Sequence, residues 1–115
     1  MSGLTTHVLD LASGRPAARV EVRLSRLVGD ACEPLATTET DADGRARLLD
    51  LAALTGGGYR IEFAVGAYFR AGGAVSAQPA FLEIVAIEFN LPEAPASHHV
   101  PLLVSPFGYS TYRGS

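Results

Sequence analysis

Three histidines are the residues of this chain whose chemistry best suits proton transfer. They are His7, His98 and His99, and imidazole is the side chain that gains and loses a proton near neutral pH. His98 and His99 are consecutive, so in a β-strand their side chains point to opposite sides of the sheet. We therefore expect at most one of these two to share a site with His7.

The segment Asp41-Ala42-Asp43-Gly44 predicts a turn that holds a guanidinium group. Asp in Asx geometry and Gly at positive φ are typical of a hairpin turn, and Arg45 follows directly. Arginine binds a planar polar group through two parallel hydrogen bonds. The segment also resembles the start of a calcium loop, but Arg45 and Arg47 stand where acceptors are needed and no Glu closes the loop. The hairpin turn is the favoured interpretation.

Metal and thiol chemistry find little support in the sequence. Cys32 is the single Cys, which excludes an intramolecular disulfide and a Cys-based zinc site. No basic residue or His adjoins Cys32 in the sequence to activate its thiol. A zinc site would need His7, one of the other two histidines and a carboxylate, with no local spacing motif. We therefore expect no metal site.

The elements that must position these residues are β-strands, because apolar and polar residues alternate along much of the chain. Three segments show an apolar side: Val20, Val22 and Leu24; Tyr59, Ile61 and Phe63; Val100, Leu102 and Val104. The last of them puts His99 on the opposite, outward side. Gly- and Pro-containing turns separate the runs. The pattern predicts seven or eight antiparallel strands in two packed sheets.

Three segments depart from simple alternation. Residues 66–73 predict a short helix, and residues 50–54 predict a single turn. Residues 81–89 are apolar on both sides apart from Glu83 and Glu88. That pattern predicts a strand covered on both faces, by the core and by another subunit. The polar, aromatic tail 109–115 predicts an edge strand that runs to the last residue.

Length and composition limit the class of protein. The chain has 115 residues, 48% of them apolar, which predicts one globular domain over residues 1–115. The net charge of −3 gives no basic surface for nucleic acid. No apolar run reaches the roughly 20 residues of a membrane span, and the first residues do not have the composition of a secretory signal. We expect a cytoplasmic protein.

Five segments of the chain form a recognisable set: 4–10 (LTTHVLD), 14–17 (GRPA), 43–45 (DGR), 99–106 (HVPLLVSP) and 108–115 (GYSTYRGS). Together they resemble the transthyretin-related family of 5-hydroxyisourate hydrolases. The match follows the chain in order from end to end. Its most specific part is the tetrapeptide at 112–115, which marks the enzymes of this family and is lacking in the transthyretin hormone carriers.

The resemblance implies a fold, an assembly and a reaction. The fold is all-β, a transthyretin-like (prealbumin) two-sheet antiparallel β-sandwich with one short helix. The assembly is a homotetramer, a dimer of dimers, with active sites at the dimer–dimer interface. The reaction is hydrolysis of 5-hydroxyisourate, the product of urate oxidase, to 2-oxo-4-hydroxy-4-carboxy-5-ureidoimidazoline in urate degradation. The partner is thus a small-molecule substrate, and no metal or organic cofactor is implied.

The resemblance also implies a set of site residues. The catalytic residues would be His7, Arg45, His99 and Ser115, and the substrate-binding residues would be Tyr112, Arg113 and Gly114. His98 stands where the family usually has Tyr, and we expect it to be non-catalytic. Which histidine acts as the base is left open by the sequence.

Two other functional classes fit the same strands. One is a transthyretin-like carrier of a small ligand without hydrolase activity, which would need a channel lined by aliphatic side chains. The other is an immunoglobulin-like interaction module. Such a module would account for the strands but not for the presence of His7, Arg45, His99 and the final Ser in one sequence. Removal of residues 112–115 separates these classes, since a carrier or a module should tolerate it and the hydrolase should not.

Overall fold

The computed structural model describes residues 3–73 and 80–114, and their β-strands form two sheets that share one hydrophobic core. The strands within these ranges are β1 (Leu4–Asp10), β2 (Arg15–Pro16), β3 (Glu21–Val28), β4 (Ala31–Glu39), β5 (Arg45–Leu49), β6 (Gly57–Phe63), β7 (Val85–Leu91), β8 (His98–His99), β9 (Leu102–Ser105) and β10 (Gly108–Thr111). A 3₁₀ turn covers Leu51–Ala53, and the helix α1 covers Val65–Ala71. Both short helical segments confirm the predictions for 50–54 and 66–73.

The first strand organises the larger sheet. In the six-stranded sheet the order is β10-β9-β1-β2, and β5 and β8 also pair with β1. The four-stranded sheet has the order β4-β3-β6-β7. The architecture confirms the all-β fold with two sheets and one short helix. Because β1 borders four other strands, it can place side chains from distant parts of the chain next to its own.

The pairing of β1 differs from the expectation that every strand is antiparallel. It is antiparallel to β2 and β5 but parallel to β8 and β9. Parallel neighbours need a crossover, and here the chain passes through the whole four-stranded sheet between β1 and β8. The described residues also contain ten strands rather than seven or eight, because β2 and β8 have only two residues each.

The inward faces are those that the alternation predicted. Leu4 and Val8 from one sheet and Ile61 and Phe63 from the other are fully buried. Burial of each such side chain contributes on the order of 1.5–3 kcal/mol. Thr6 lies on the same inward side of β1, and its hydroxyl donates a hydrogen bond to the Val100 carbonyl oxygen at 2.6 Å. The core thus fixes which side of β1 faces outward.

The prediction of a strand from residue 81 is wrong for its first part. The strand β7 begins at Val85, and the Phe81 side chain before it is 73% exposed. Glu83 explains the difference, because its carboxylate pairs with Arg70 of α1 and its carbonyl accepts the Gly66 amide hydrogen at 3.0 Å. Residues 81–84 therefore pack against the helix instead of joining the sheet.

The expected edge strand at the tail is shorter than predicted. β10 ends at Thr111, whose hydroxyl donates to the Pro101 carbonyl oxygen at 2.7 Å. Beyond it, Gly114 forms a single antiparallel bridge with His99, so the tail leaves the sheet edge and returns to β8. Within the described residues, no helix is long and apolar enough to cross a membrane.

Candidate active site

The register of β1 brings His7, Arg45 and His99 to one face of the six-stranded sheet. His7 pairs with Arg45 in the antiparallel ladder to β5, and Thr5 pairs with His99 in the parallel ladder to β8. Directly paired residues share a sheet face, and so do residues two apart on one strand. Since Leu4 and Val8 point into the core, these four side chains lie on the outer face.

The predicted turn before Arg45 is present and is held by its own side chains. Asp41 Oδ1 accepts the backbone hydrogens of Asp43 and Arg45 at 2.9 and 3.0 Å. Gly44 has φ +77°, and a Cβ at this position would lie 2.5 Å from the Val8 carbonyl oxygen. Only glycine fits such a close approach with a left-handed backbone. The turn therefore fixes where Arg45 enters β5.

The same turn orients His7. The Nε2 atom of His7 lies 2.9 Å from the Asp43 carbonyl oxygen. A carbonyl oxygen only accepts hydrogen bonds, so Nε2 of His7 carries the hydrogen. One short loop thus fixes the backbone of Arg45 and orients one imidazole ring of the site.

His99 is half-buried, and its ring is held by β1. Its Nδ1 atom lies 2.8 Å from Thr5 Oγ1. Burial is the main cause that lowers the pKa of His99. Electrostatic repulsion by Arg45, and less strongly by His7, lowers this pKa further, while the Thr5 backbone acts to raise it. A histidine with a lowered pKa is uncharged near neutral pH and can accept a proton.

The tail residues of the predicted site divide between two places. Gly114 donates its backbone hydrogen to the His99 carbonyl oxygen at 2.7 Å, and a Cβ at this glycine would lie 2.8 Å from His99 Cδ2. Tyr112 and Arg113 line a cavity of about 250 Å³ beside β7. Ser115, predicted to be catalytic, lies outside the described residues.

His98 lies on the other side of the sheet from His99, as its position in the sequence predicted. Its Nδ1 atom is 2.8 Å from the Ala96 carbonyl oxygen, and the side chain lines the same 250 Å³ cavity as Tyr112 and Arg113. The two neighbouring histidines therefore do not belong to one cluster, and His7 has only His99 as its imidazole neighbour.

Two contributors to the site were not singled out from the sequence. The Thr5 hydroxyl is hydrogen-bonded to the His99 ring, and the Asp43 carbonyl oxygen is hydrogen-bonded to the His7 ring. The position of Thr5 two residues before His7 on one strand face was the available signal. The backbone contact from Asp43 has no signature in residue type, because any residue carries a carbonyl group.

The three polar side chains lie on an open surface. A cleft of about 520 Å³ lies between the β1–β2 turn and α1, and His7, Arg45 and His99 line neither this cleft nor the 250 Å³ cavity. Among residues 3–73 and 80–114, no three His, Cys, Asp or Glu side chains are grouped to hold a metal ion. The cationic Arg45 beside His7 would also disfavour a cation.

This combination of groups is suited to hydrolysis. A neutral imidazole can remove a proton from water. A neighbouring guanidinium can stabilise the negative charge that develops on a carbonyl oxygen and can hold a planar polar edge. The second imidazole, His7, can exchange a proton with the leaving group.

Comparisons with known proteins show the family and the fold of the chain. Residues 4–114 match the HIUase/Transthyretin family. A protein of Caulobacter vibrioides named 5-hydroxyisourate hydrolase is 57% identical over 115 residues, which cover all of both chains. The structure of Klebsiella pneumoniae 5-hydroxyisourate hydrolase superposes with a TM-score of 0.82 at 39% identity and 100% coverage of both chains. A crystal structure of (S)-allantoin synthase superposes with a TM-score of 0.84 at 34% identity, covering 99% of this chain and 44% of the other.

Proposed function

Because the chain belongs to the HIUase/Transthyretin family, we propose that it hydrolyses 5-hydroxyisourate, the reaction named for its Caulobacter and Klebsiella relatives. The observation that carries the proposal is the juxtaposition of His7, Arg45 and His99 on one sheet face. These groups supply a base, a cation and a second proton carrier, which are what opening of a cyclic amide by water requires. The product would be 2-oxo-4-hydroxy-4-carboxy-5-ureidoimidazoline.

The reaction divides into two proton transfers around one carbonyl carbon. His99 removes a proton from water as the water oxygen bonds to the ring carbonyl carbon. Arg45 stabilises the negative charge on the carbonyl oxygen in the resulting tetrahedral intermediate. When the carbonyl re-forms, the C–N bond breaks, and a histidine returns the proton to the leaving nitrogen. The sum is the addition of one water molecule, with no change in oxidation state.

The finer features of this chemistry belong to the same proposal. We assign the chain as a cyclic amide hydrolase that needs no metal or organic cofactor. Gly114 would help to orient the substrate through its contact with His99, and Ser115 would complete the catalytic set. The substrate-binding role of Tyr112 and Arg113 stays a prediction, because these residues line the cavity on the His98 side of the sheet. Extensive dialysis against a chelator should leave the specific activity unchanged. A loss of activity that zinc or another cation restores would overturn cofactor independence.

The open position of the three side chains supports an assembly of several copies. A small substrate bound on an outer sheet face of one copy would stay in contact with bulk water, which weakens electrostatic stabilisation. A second copy placed over this face would enclose it. We therefore propose a homotetramer, a dimer of dimers, with active sites at the dimer–dimer interface, acting in the cytoplasm. Light scattering should give four times 12.0 kDa, and a monomer that retains full specific activity would refute this assembly.

A coupled assay tests the function directly. Urate oxidase generates 5-hydroxyisourate from urate, and the ultraviolet absorbance of the intermediate then decays. The chain should accelerate the decay far above its spontaneous rate. His99→Ala and His7→Ala should each lower kcat by about 10²–10⁴-fold, the usual effect of losing an acid–base group. His98→Ala is the matched control, because it removes a neighbouring imidazole from the other face and should keep the activity.

A carrier without hydrolase activity is the remaining alternative. Deletion of residues 112–115 should abolish hydrolysis while the chain stays folded. A wild-type chain that leaves the decay at its spontaneous rate, yet binds a small apolar ligand with or without its tail, would support the carrier and refute the enzyme.

A further inference from the structure

The contact between Thr5 and His99 assigns a role to a residue outside the proposed catalytic set. Thr5 is only 4% exposed, although it lies on the outer face of the sheet. Its hydroxyl oxygen is 2.8 Å from His99 Nδ1, and the two residues are 94 positions apart in the sequence. A buried hydroxyl needs a hydrogen-bond partner, and here that partner is the ring of the proposed base.

The backbone fixes the two residues against each other. Thr5 and His99 are direct partners in the parallel ladder. The Val100 amide donates to the Thr5 carbonyl oxygen at 2.9 Å, and the His98 amide donates to the Gly3 carbonyl oxygen at 3.0 Å. These two bonds bracket His99, so neither strand can slide along the other without breaking them. The distance between the hydroxyl and the ring is therefore set by the sheet.

The direction of the hydrogen bond determines which ring nitrogen is free. A threonine hydroxyl can donate or accept. Because Thr5 Oγ1 contacts Nδ1 of His99, Nε2 is the ring nitrogen that is left to meet a water molecule. His99 can act as a base through Nε2 only when the hydrogen of the neutral ring is on Nδ1, where the Thr5 hydroxyl accepts it. Neutral imidazole carries one hydrogen, so Nε2 then bears the lone pair.

We propose that Thr5 is a positioning residue, whose hydroxyl accepts the Nδ1 hydrogen of His99 and leaves Nε2 to take the proton of the attacking water. This inference rests on the proposed hydrolase function and decides which nitrogen of which histidine is the base. Thr5 itself does not touch the substrate. It acts by holding one tautomer and one ring orientation of His99.

Two isosteric variants on β1, Thr5→Val and Thr6→Val, separate a positioning role of the Thr5 hydroxyl from an effect on stability alone. Thr5→Val removes the hydroxyl that faces the ring, and Thr5→Ser keeps it. Thr6→Val is the matched control, because Thr6 donates its hydroxyl to the carbonyl of Val100, the residue after His99, and does not contact the ring. Both valine variants lose one hydrogen bond between β1 and the same downstream segment.

The readouts are steady-state kinetics and the imidazole nitrogen chemical shifts of the labelled full chain. In the wild type, the shifts of His99 should show hydrogen on Nδ1 and a lone pair on Nε2. Thr5→Val should lower kcat about 10- to 100-fold, the range seen when a histidine in a metal site loses its orienting partner, with KM changed less than about twofold. It should also populate the other tautomer. Thr5→Ser should restore both properties, and Thr6→Val should leave both unchanged.

The two readouts distinguish failure of this inference from failure of the proposed function. A wild-type His99 with hydrogen on Nε2, or a Thr5→Val variant with wild-type kcat and tautomer, would overturn the role of Thr5 even if the enzyme is active. Equal kinetic losses in Thr5→Val and Thr6→Val would also overturn it, since that result indicates a structural effect. A wild-type chain without hydrolase activity would refute the function, whatever the nitrogen shifts show.

Discussion

The contact between Gly114 and His99 provides the sharpest test of how the tail serves the site. A methyl group added at position 114 would lie 2.8 Å from His99 Cδ2 and 3.2 Å from His99 Cβ. Ordinary contacts begin at 3.4 Å, so the overlap is about 0.6 Å. The added carbon contacts both the ring and the backbone of His99. The tail and the His99 ring therefore cannot both keep their positions in Gly114→Ala.

The size of the expected effect follows from this overlap. If the ring yields by about 0.6 Å, the hydrogen bond between Thr5 and His99 weakens from 2.8 Å to a length near the limit of a useful bond. Displacement of a catalytic group by about 1 Å costs on the order of 10²-fold in rate. We therefore expect Gly114→Ala to lower kcat about 10- to 100-fold. Overpacking costs about 1–3 kcal/mol, so the chain should remain folded.

Gly108→Ala is the control for this experiment. Gly108 lies in β10, in the same C-terminal hairpin, and a Cβ there would meet nothing within 4 Å. Its kcat should equal that of the wild type in the coupled ultraviolet assay, and circular dichroism should show both variants folded. A folded Gly114→Ala variant with wild-type kcat would refute the reasoning, because the tail would then not need to approach His99 so closely.

Two further predictions concern charge and stability. His99 has a lowered pKa, partly because of Arg45, so hydrolysis should persist below the ordinary imidazole pKa and disappear as the pH falls through the lowered value. Arg45→Gln removes the positive charge, so the acid limb of kcat/KM should move to higher pH, and an unmoved limb would contradict the electrostatic argument. In a separate region, Tyr68 donates a hydrogen bond to Asp10 Oδ2 at 2.8 Å, and burial together with the Asp10 carboxylate raises the pKa of Tyr68 to about 12. Tyr68→Phe should lower the free energy of unfolding in urea by about 1.5–3 kcal/mol with kcat unchanged, and a wild-type urea midpoint would show that this bond adds no net stability.

Local residue patterns predicted those parts of the fold that depend on neighbouring residues. The alternation of Tyr59, Ile61 and Phe63 predicted an inward face because a half-buried strand requires it, and all three are fully buried. The turn before Arg45 was predictable because Asp41 and Gly44 satisfy its backbone locally. The family resemblance supplied the fold, which the structure and the comparisons confirm. The roles of the site residues stay predictions.

Features that depend on distant residues could not be predicted from local patterns. The parallel pairing of Thr5 with His99 joins segments 94 residues apart, and nothing in either segment specifies a parallel partner. The start of β7 was misplaced because the ion pair between Glu83 and Arg70 of α1 holds the preceding residues, and an apolar run alone gives no sign of it. The tail was read as a continuous strand because its β-prone residues do not reveal the return of Gly114 to His99.

The placement of β1 between β5, β8 and β9 also has a consequence for the order of folding. β1 lies near the N-terminus, whereas two of its neighbours lie in the last fifth of the chain. Closing such a large loop costs entropy before any contact forms, and sheets with distant partners fold slowly. During synthesis, the edge of β1 that pairs with β8 and β9 stays unpaired until residues 98–105 have been made. His7 and His99 can therefore come together only when the larger sheet is complete, so recovery of activity during refolding should follow that last step.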